Sequence, residues 1–324
     1  MLIVQKFGGS SIADGDRLRR AAGICMRQRQ NGNEVVVVVS AMGDTTDLLA
    51  DRARVLGGKP SPREMDALIT TGEQQSAALL VMTMESLGIP AVSLAGWQAG
   101  IYTDCRYGDS DIRLIAPVRI REALSRGRVP VVTGFQGVCA AGDITSLGRG
   151  GSDTTAVALA AALESDCCEI YTDVDGIYTA DPRLIPDAVK LSAIDYRDML
   201  ALAEAGSQVL HAKSVELAMA NSVVIHLLSS FTDAPGSQVR ALRDGSRADF
   251  AGITRSRTSG EISLAGKAAD AAALSRAVLL LAAEGIEVLS GSAGSGRISV
   301  LVEEAERPRA MQLLHREMIL DALK

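Results

Sequence analysis

Five consecutive valines occupy residues 35–39, between an Asn-Gly-Asn turn and a serine. An uninterrupted β-branched run of this length is typical of a strand buried on both faces, as in a parallel sheet. Further apolar runs predict strands at 2–4, 89–94 and 129–133. Helical spacing of apolar residues lies between the runs, at 12–26, 63–87, 112–125 and 153–163. Strands that alternate with helices predict an α/β fold, with a mostly parallel sheet covered on both faces.

The C-terminal part of the chain has a different pattern. A coil-rich interval at 232–246 contains Pro and Gly and predicts a domain boundary. The pattern beyond it predicts two helices, at 270–284 and 306–320, and four strands, at 250–256, 261–266, 286–290 and 297–302. We therefore expect two domains: a larger one at 1–240 and a small α+β module at 250–324.

Charge and composition exclude several classes of protein. The net charge is −6 and the basic residues are dispersed, which argues against nucleic acid as a partner. No stretch reaches the roughly 18 apolar residues of a membrane helix, and the N-terminus enters a strand without a signal peptide, so we expect no membrane partner and a cytoplasmic location. The 5 cysteines lack CxxC spacing and the 3 histidines are scattered, so neither a disulfide framework nor a metal site is indicated.

Two glycine-rich turns lie where a strand is expected to lead into a helix. Residues 6–11 read KFGGSS, and residues 146–151 read SLGRGG. Unpaired backbone N–H groups and the helix dipole make such a turn favourable for an anion. Neither turn has the spacing of a Walker loop or of GxGxxG. Because one turn carries a lysine and the other an arginine, the pair predicts phosphate binding.

Six motifs in this chain follow the order in which they occur in aspartokinases of the amino-acid kinase superfamily, which the chain resembles over residues 1 to 235. They are KFGGSS (6–11), SAMGDTTDLL (40–49), TTGEQ (70–74), GFQG (134–137), SLGRGGSDTTAVALA (146–160) and IYTDVDGIYTADPR (170–183). The resemblance implies a three-layer αβα sandwich. It also implies transfer of phosphate from MgATP to the β-carboxylate of L-aspartate, giving 4-phospho-L-aspartate on the route to lysine, threonine and methionine.

By the same resemblance, Lys6 and Asp153 are the expected catalytic residues. Lys6 would contact the transferred phosphate, and Asp153 would lie near the phosphates, although an N-cap is an alternative role for it. Arg149 would clamp a substrate carboxylate and Glu73 would pair with the substrate ammonium, although a first-turn helical glutamate is the simpler interpretation. The implied substrate-binding set is Ser40, Thr45, Thr46, Glu73, Phe135, Arg149, Gly150, Gly151 and Ser152.

The resemblance also implies a nucleotide-binding set. Its members are Lys6, Phe7, Gly8, Gly9, Ser10, Thr172, Asp173, Tyr178, Arg183 and Gln208. Asp175-Gly176 is also compatible with a plain hairpin turn. Mg²⁺ would be carried mainly by ATP, so we expect no dedicated metal ligands in the chain. Gln208 stands where the family usually has a lysine that contacts the nucleotide phosphates, and this substitution predicts weaker use of ATP.

A second departure from the family lies at the C-terminus. Aspartokinases usually have two tandem ACT regulatory modules, whereas residues 250–324 suffice for one, and the usual Pro-Gly is absent at 269–271. We expect a homo-oligomer formed at least partly through this module, with weak or absent inhibition by lysine and threonine. Two alternatives to an active aspartokinase remain: a binding protein that senses an amino acid or nucleotide, and a kinase of another small acid.

Overall fold

The computed structural model describes residues 1–256 and 258–321. Position 257 and positions 322–324, which belong to the predicted module at 250–324, lie outside the described residues. The chain divides into two compact units. The first comprises Met1–Asp175 and Ala220–Pro235, and the second comprises Gly176–Met219 and Gly236–Lys324. This division assigns residues 176–219 to the second unit, whereas the sequence placed them in a domain spanning 1–240.

The strands and helices follow one another with short connections. The strands are β1 (Leu2–Phe7), β2 (Glu34–Val39), β3 (Ala91–Leu94), β4 (Ile101–Thr103), β5 (Ile112–Ile115), β6 (Val129–Thr133), β7 (Gln136–Cys139), β8 (Ile144–Ser146), β9 (Cys167–Thr172), β10 (Ile177–Tyr178), β11 (Lys190–Leu191), β12 (Ala193–Ile194), β13 (Ile225–Ser229), β14 (Ser237–Val239), β15 (Gly252–Arg255), β16 (Glu261–Ala265), β17 (Val288–Gly294) and β18 (Arg297–Val302). The helices are α1 (Gly15–Gln30), α2 (Thr45–Arg54), α3 (Pro62–Ile69), α4 (Thr71–Ser86), α5 (Val118–Ser125), α6 (Gly151–Leu163), α7 (Tyr196–Glu204), α8 (Ala212–Asn221), α9 (Ala271–Ala283) and α10 (Arg307–Leu314).

Parallel strands form the main sheet of the first unit. Their order is β13, β9, β1, β2, β6, β3, and each neighbouring pair is parallel. Strand β1 is central, and its Lys6 is in register with Val38 of β2 and Ile170 of β9. The predicted α/β fold with a mostly parallel sheet is confirmed. Because ligands bind at the carboxyl ends of such strands, the position of Lys6 is that of a functional residue.

The valine run of β2 is buried on both faces of this sheet, as its composition predicts. Val35, Val37 and Val39 pack in one apolar cluster with residues of α1 and α4. Val36 and Val38 are also fully buried, and side chains alternate along a strand, so they point to the opposite face. Helix α6 contacts β1, β2 and β9, and α5 contacts β2 and β6. Helices therefore cover both faces of the sheet, and the predicted three layers are present.

A smaller mixed sheet, in the order β5, β4, β7, β8, completes the first unit. Cys105 and Cys139 form a disulfide beside it, with their Cα atoms 5.2 Å apart. The prediction that the cysteines form no disulfide was wrong. The two residues are 34 positions apart in sequence, so no local spacing marks them as partners; the antiparallel and parallel pairings around β4 and β7 bring them together.

Two predicted helices are interrupted. The helix expected at 63–87 is divided at Thr70 into α3 and α4, because Thr70 ends α3 and its carbonyl accepts a hydrogen bond from Gln136 Nε2 at 2.7 Å. The helix expected at 112–125 is instead strand β5 followed by α5, with Pro117 between them. A proline disfavours helical geometry in the residue before it, and the isoleucines of this segment favour a strand.

The second unit contains a four-stranded antiparallel sheet in the order β15, β16, β18, β17. Helices α9 and α10 pack on it around an apolar core that includes Leu264, Ile298 and Leu314. A π-helical segment, His315–Leu320, continues α10. The four strands and two helices predicted for this part of the chain are confirmed. Across the described residues of both units, no helix is long and apolar enough to cross a membrane.

Candidate phosphate- and amino-acid-binding site

A cavity of about 770 Å³ opens at the carboxyl ends of β1, β2 and β6 in the first unit. Charged side chains on its wall include one lysine, one arginine and several carboxylates. Its lining residues are Lys6, Gly9, Ser40, Ala41, Gly43, Thr46, Asp47, Pro60, Pro62, Met65, Asp66, Ile69, Glu73, Gly108, Phe135, Ser146, Gly148, Arg149, Gly150, Gly151, Ser152 and Asp153. Both glycine-rich turns contribute to this list, so the structure brings the two predicted phosphate-binding segments to one cavity.

Lys6 and Asp153 form an ion pair on the cavity wall. Lys6 Nζ lies 2.6 Å from Asp153 Oδ1, and both side chains are largely buried. Lys6 comes from the end of β1, and Asp153 comes from the first turn of α6. A buried ammonium needs a compensating charge, and Asp153 supplies it. The pair places the Lys6 ammonium on the cavity wall, at the end of the first glycine turn.

The first glycine turn is held tightly against neighbouring backbone. Gly8 N donates to Tyr171 O at 3.2 Å, and a Cβ on Gly9 would lie 2.6 Å from Ala41 O. A side chain at Gly9 is therefore excluded by the backbone. The turn leads into a short 3₁₀ segment, and α1 begins only at Gly15 with Asp14 as its N-cap. The α-helix dipole predicted to act at this first turn is thus displaced from it, so Lys6 supplies the positive charge here.

The second glycine turn directly precedes α6. Gly148 and Gly150 have φ angles of 70° and 69°, a left-handed conformation that favours glycine. Gly150 is the N-cap of α6, without a side-chain capping bond. Asp153 is therefore the third residue of the helix and not its N-cap, so the alternative role considered for it is wrong. Arg149 is exposed in this turn, and no ion pair or hydrogen bond of its guanidinium is found within residues 1–256 and 258–321.

Glu73 is the buried carboxylate of the cavity. It is 3% exposed, and its Oε1 accepts a hydrogen bond from Ala41 N at 3.0 Å. Its Oε2 is buried without a hydrogen-bond partner among the described residues. Burial raises the pKa of Glu73 to about 7, and the backbone N–H groups of Glu73 and Ala41 oppose this rise. A cationic group of a ligand would satisfy Oε2 and favour the charged form.

Phe135 adopts a left-handed backbone conformation that is unusual for a residue with a side chain, with φ of 69°. The conformation is fixed from two sides. Phe135 N donates to Thr155 Oγ1 at 3.1 Å, and Phe135 O accepts from Leu147 N at 2.8 Å. A Cβ on Gly151 would lie 2.9 Å from the Phe135 ring. Strain of this kind concentrates at functional sites, and here it joins the GFQG segment to the second glycine turn.

Eight of the nine predicted substrate-binding residues line the cavity: Ser40, Thr46, Glu73, Phe135, Arg149, Gly150, Gly151 and Ser152. Thr45 does not line it. Its hydroxyl donates to Met42 O at 2.6 Å at the start of α2. The cavity thus brings together predicted residues from five separate segments of the sequence.

The predicted nucleotide-binding residues of the first unit lie at three places: the first glycine turn, the apolar core and the end of β9. Lys6 and Gly9 line the cavity, and Gly8 and Ser10 belong to the same turn. The side chain of Phe7, by contrast, is fully buried and stacks on Tyr171 with ring centroids 4.9 Å apart. The expectation that Phe7 contacts nucleotide is therefore wrong for its side chain. Thr172 is the last residue of β9 and Asp173 follows it, and Thr172 Oγ1 donates to Asp173 Oδ1 at 3.1 Å.

The other three predicted nucleotide-binding residues belong to the second unit. Tyr178 lies in β10, which pairs with β11, and Ile177 N beside it donates to Ser237 Oγ at 2.8 Å. Arg183 is bound to Asp181 through Nε at 3.0 Å and Nη2 at 2.8 Å. Gln208 is exposed in the connection between α7 and α8. The nucleotide roles of these residues stay predictions.

Several lining residues were missed from the sequence. Ala41 and Gly43 belong to the quoted motif SAMGDTTDLL, so their neighbours gave a signal. Asp66 gave a weaker one: it is a carboxylate between Met65 and Ile69 on the apolar side of α3, and it is 0% exposed. Gly108 comes from a segment without any recognised motif, and only the tertiary structure places it at the cavity.

Comparisons with known proteins show which family this chain is similar to. Residues 1–229 match the description of the amino acid kinase family. The chain is 49% identical to the aspartokinase of Mycolicibacterium smegmatis over 269 residues, which are 82% of this chain and 64% of that protein. It is 44% identical to the aspartokinase of Corynebacterium efficiens over 325 residues, 97% of this chain and 77% of that protein.

A solved structure of E. coli aspartokinase III in complex with aspartate and ADP has the same fold, with a TM-score of 0.85 and 20% identity, covering 98% of this chain and 100% of that one. The fold and the cavity define an α/β protein with a candidate phosphate-binding site. The chain belongs to the amino acid kinase family. It spans only 64% of the length of the M. smegmatis relative.

Proposed function

We propose that this protein is an aspartate kinase that transfers the γ-phosphoryl group of ATP to the β-carboxylate of L-aspartate. The observation that carries the proposal is the composition of one cavity. The buried Lys6–Asp153 pair between two glycine turns suits a phosphate, while the buried Glu73 and the exposed Arg149 suit an ammonium and a carboxylate. The aspartokinase relatives, at 49% and 44% identity, support the same acceptor.

The acceptor would be recognised through its two charged α-substituents. Glu73 Oε2 has no protein partner among the described residues, and an α-ammonium would supply one. Arg149 can hold an α-carboxylate through two parallel N–H donors, which fixes its orientation as well as its position. Ser40, Thr46 and Ser152 add hydroxyl groups on the cavity wall. An amino acid bound in this way directs its remaining carboxylate towards the phosphate-binding turns.

Phosphoryl transfer then requires mainly positioning and charge stabilisation from the protein. The β-carboxylate is ionised at neutral pH, so one of its oxygens can attack the γ-phosphorus without a general base. The bond from phosphorus to the β,γ-bridging oxygen breaks, and the products are 4-phospho-L-aspartate and ADP. Lys6 would stabilise the charge that spreads over the transferred oxygens, and Asp153 would hold the Lys6 ammonium in place.

The residues of the cavity also suit Mg²⁺ carried by the nucleotide. Mg²⁺ prefers carboxylate and phosphate oxygens and usually keeps several waters. We propose that ATP carries the ion mainly through its phosphate oxygens and that Asp153 would contribute only Oδ2, because its Oδ1 is paired with Lys6 Nζ. When bound, the ion neutralises phosphate charge.

The competing function is a sensor that binds ligands without turnover. Gln208 is the observation behind this alternative, because a neutral amide stands where the resemblance implies a lysine. The two functions are separated by incubating the protein with L-aspartate and MgATP and measuring ADP and acyl phosphate. An aspartate kinase forms both in equal amounts. Calorimetric binding of L-aspartate and ATP without product would contradict catalysis and favour the sensor.

We also propose that the protein is a homo-oligomer held partly by the described residues of the C-terminal module. Leu279 of α9 and Leu289 of β17 are 70% and 48% exposed, and β17 is an edge strand of its sheet. Edge strands and exposed apolar side chains are commonly covered by a second copy. Light scattering should show more than one chain for the wild type and a lower mass for the Leu279→Lys/Leu289→Lys variant. An unchanged mass in the variant would contradict this assignment.

A further inference from the structure

Asp66 ties together two separate segments of the cavity wall. Its Oδ2 accepts hydrogen bonds from Ser146 N and Gly108 N, both at 2.9 Å. Its Oδ1 accepts from Ser146 Oγ at 2.7 Å. The side chain is 0% exposed, so these three donors compensate a buried carboxylate and no surface of it is left for a ligand.

Both segments contact the turn that carries Arg149: Ser146 through the chain itself, and Gly108 by packing against the turn. Ser146 ends β8 and is followed by the left-handed Gly148 and by Arg149 itself. Gly108 lies against the same turn, since a Cβ on Gly148 would be 3.3 Å from Gly108 O and 2.6 Å from Asp109 Oδ1. Ser110 N also donates to Ser146 O at 2.9 Å. The carboxylate on α3 therefore fixes the strand end from which the Arg149 turn departs.

The Arg149 turn is glycine-rich, and backbone hydrogen bonds hold it in addition to the Asp66 contacts, among them Thr154 N to Gly150 O at 3.0 Å. Two of its residues are glycines at positive φ, and glycine has more backbone conformations available than any other residue. Leu147 N is bound to Phe135 O at 2.8 Å, and Gly151 N is bound to Gly148 O at 3.1 Å. A glycine-rich turn that carries a guanidinium for a ligand holds that ligand well only when its base is rigid, because misplacement by about 1 Å can reduce a rate about a hundredfold.

We propose that Asp66 is a positioning residue that holds the Arg149 turn in place for the carboxylate of the amino-acid acceptor, a role that rests on the proposed function. Asp66 acts through Ser146 and Gly108 and does not contact the substrate. Its loss should therefore weaken recognition of L-aspartate while leaving the use of ATP nearly unchanged. A purely structural carboxylate would instead lower stability without distinguishing the two substrates.

The test compares three variants with a matched control. Asp66→Ala removes all three hydrogen bonds and should raise the KM for L-aspartate about tenfold to a hundredfold, with less than about a twofold change in the KM for ATP. Ser146→Ala removes only the bond to Oδ1 and should give a smaller rise. Asp66→Asn should recover most of the wild-type KM, because its carbonyl can accept both N–H groups and its amide can donate to Ser146 Oγ.

Asp195 provides the control, because it is also a buried carboxylate, with four hydrogen bonds of which one comes from Arg197 Nη2 at 3.4 Å. It accepts from Arg197 N at 3.0 Å, Arg197 Nε at 2.8 Å and Leu242 N at 2.9 Å, in the second unit. Asp195→Ala should lower the melting temperature without an acceptor-specific change in KM. Equal changes in both KM values for Asp66→Ala, or an unchanged KM for L-aspartate in both Asp66→Ala and Ser146→Ala, would overturn the proposal.

Hydrogen exchange supplies a readout that does not depend on catalysis. The amides of Gly108 and Ser146 should exchange faster in Asp66→Ala than in the wild type, and normally in Asp195→Ala. If the wild type fails to phosphorylate L-aspartate, the proposed function is wrong, while faster exchange would still show that Asp66 anchors the segments of Gly108 and Ser146. Unchanged exchange at both amides would contradict the positioning role whatever the activity.

Discussion

The cavity of the first unit differs from the second unit in whether its buried polar groups have hydrogen-bond or ion-pair partners. In the second unit, buried polar side chains have partners: Arg247 Nη2 lies 2.5 Å from Asp198 Oδ1, and the hydroxyls of Ser263 and Ser299 are hydrogen-bonded at 2.7 Å. In the cavity, Glu73 Oε2 is buried without a partner among the described residues, and Phe135 is strained. An unmet hydrogen bond and backbone strain both lower stability, so their occurrence together in one cavity supports the proposal that a ligand binds there.

The largest predicted difference concerns Lys6. Lys6→Ala removes the ammonium expected to stabilise the transferred phosphoryl group, so kcat should fall on the order of 10²- to 10³-fold. Steady-state kinetics at saturating ATP and L-aspartate measure this. The control is Lys267→Ala, which breaks an ion pair with Asp249 at 3.3 Å in the second unit and should leave kcat unchanged. A Lys6→Ala protein with full kcat would remove the proposed role of the lysine.

A core substitution in the second unit should show the reverse behaviour. Leu264 is fully buried in β16, and Leu264→Ala should lower the free energy of unfolding by about 2 to 5 kcal/mol through the cavity that it creates. Urea denaturation measures the loss. At temperatures where the variant remains folded, its KM for L-aspartate should match that of the wild type; a large change in this KM would contradict the contrast between the two regions.

The pH dependence of acceptor use tests the unpaired carboxylate. Since burial raises the pKa of Glu73 to about 7, the protonated and neutral form predominates below that pH. The neutral form cannot pair with an ammonium, so kcat/KM for L-aspartate should fall about tenfold for each pH unit below 7, towards acid. Glu73→Gln should lower kcat/KM at pH 8 and abolish this part of the profile. An identical profile in the variant would show that another group is responsible.

The smallest predicted effect is at Gln208. If a lysine there adds one charge-assisted contact to the nucleotide phosphates, Gln208→Lys should lower the KM for ATP about tenfold. Gln208→Met, similar in length but uncharged, is the control and should not improve the use of ATP. Unchanged ATP kinetics in Gln208→Lys would show that the missing charge is already compensated, with Lys213 as the candidate cation.

The sequence predicted the parts of the fold that depend on local pattern. The valine run and the alternation of strands and helices define the parallel sheet, and glycine turns placed Lys6 and Arg149 at its functional edge. The sequence did not predict the break at Thr70, because the bond from Gln136 that accompanies it comes from 66 positions away. The Cys105–Cys139 disulfide was missed for the same reason: its partners are brought together by sheet pairing.

The site itself was predicted unevenly. Residues within the quoted motifs were found, because the resemblance to the family assigns roles to the residues of those motifs. The resemblance implied a nucleotide contact for Phe7, but alternation along β1 turns its ring into the core. Asp66 was missed because its partners, Gly108 and Ser146, are 42 and 80 positions away. A hydrogen bond between distant positions produces no recognisable residue spacing in the sequence.

The most direct test of the account is a comparison of acceptors in the hydroxylamine trap for acyl phosphates. Purified full-length protein with MgATP is given L-aspartate, succinate or L-glutamate, and hydroxamate is measured. Succinate lacks the ammonium that Glu73 is proposed to bind, and L-glutamate is one methylene longer. The account predicts efficient hydroxamate formation from L-aspartate and much slower formation from the other two. No hydroxamate from L-aspartate, or equal rates with succinate, would contradict it.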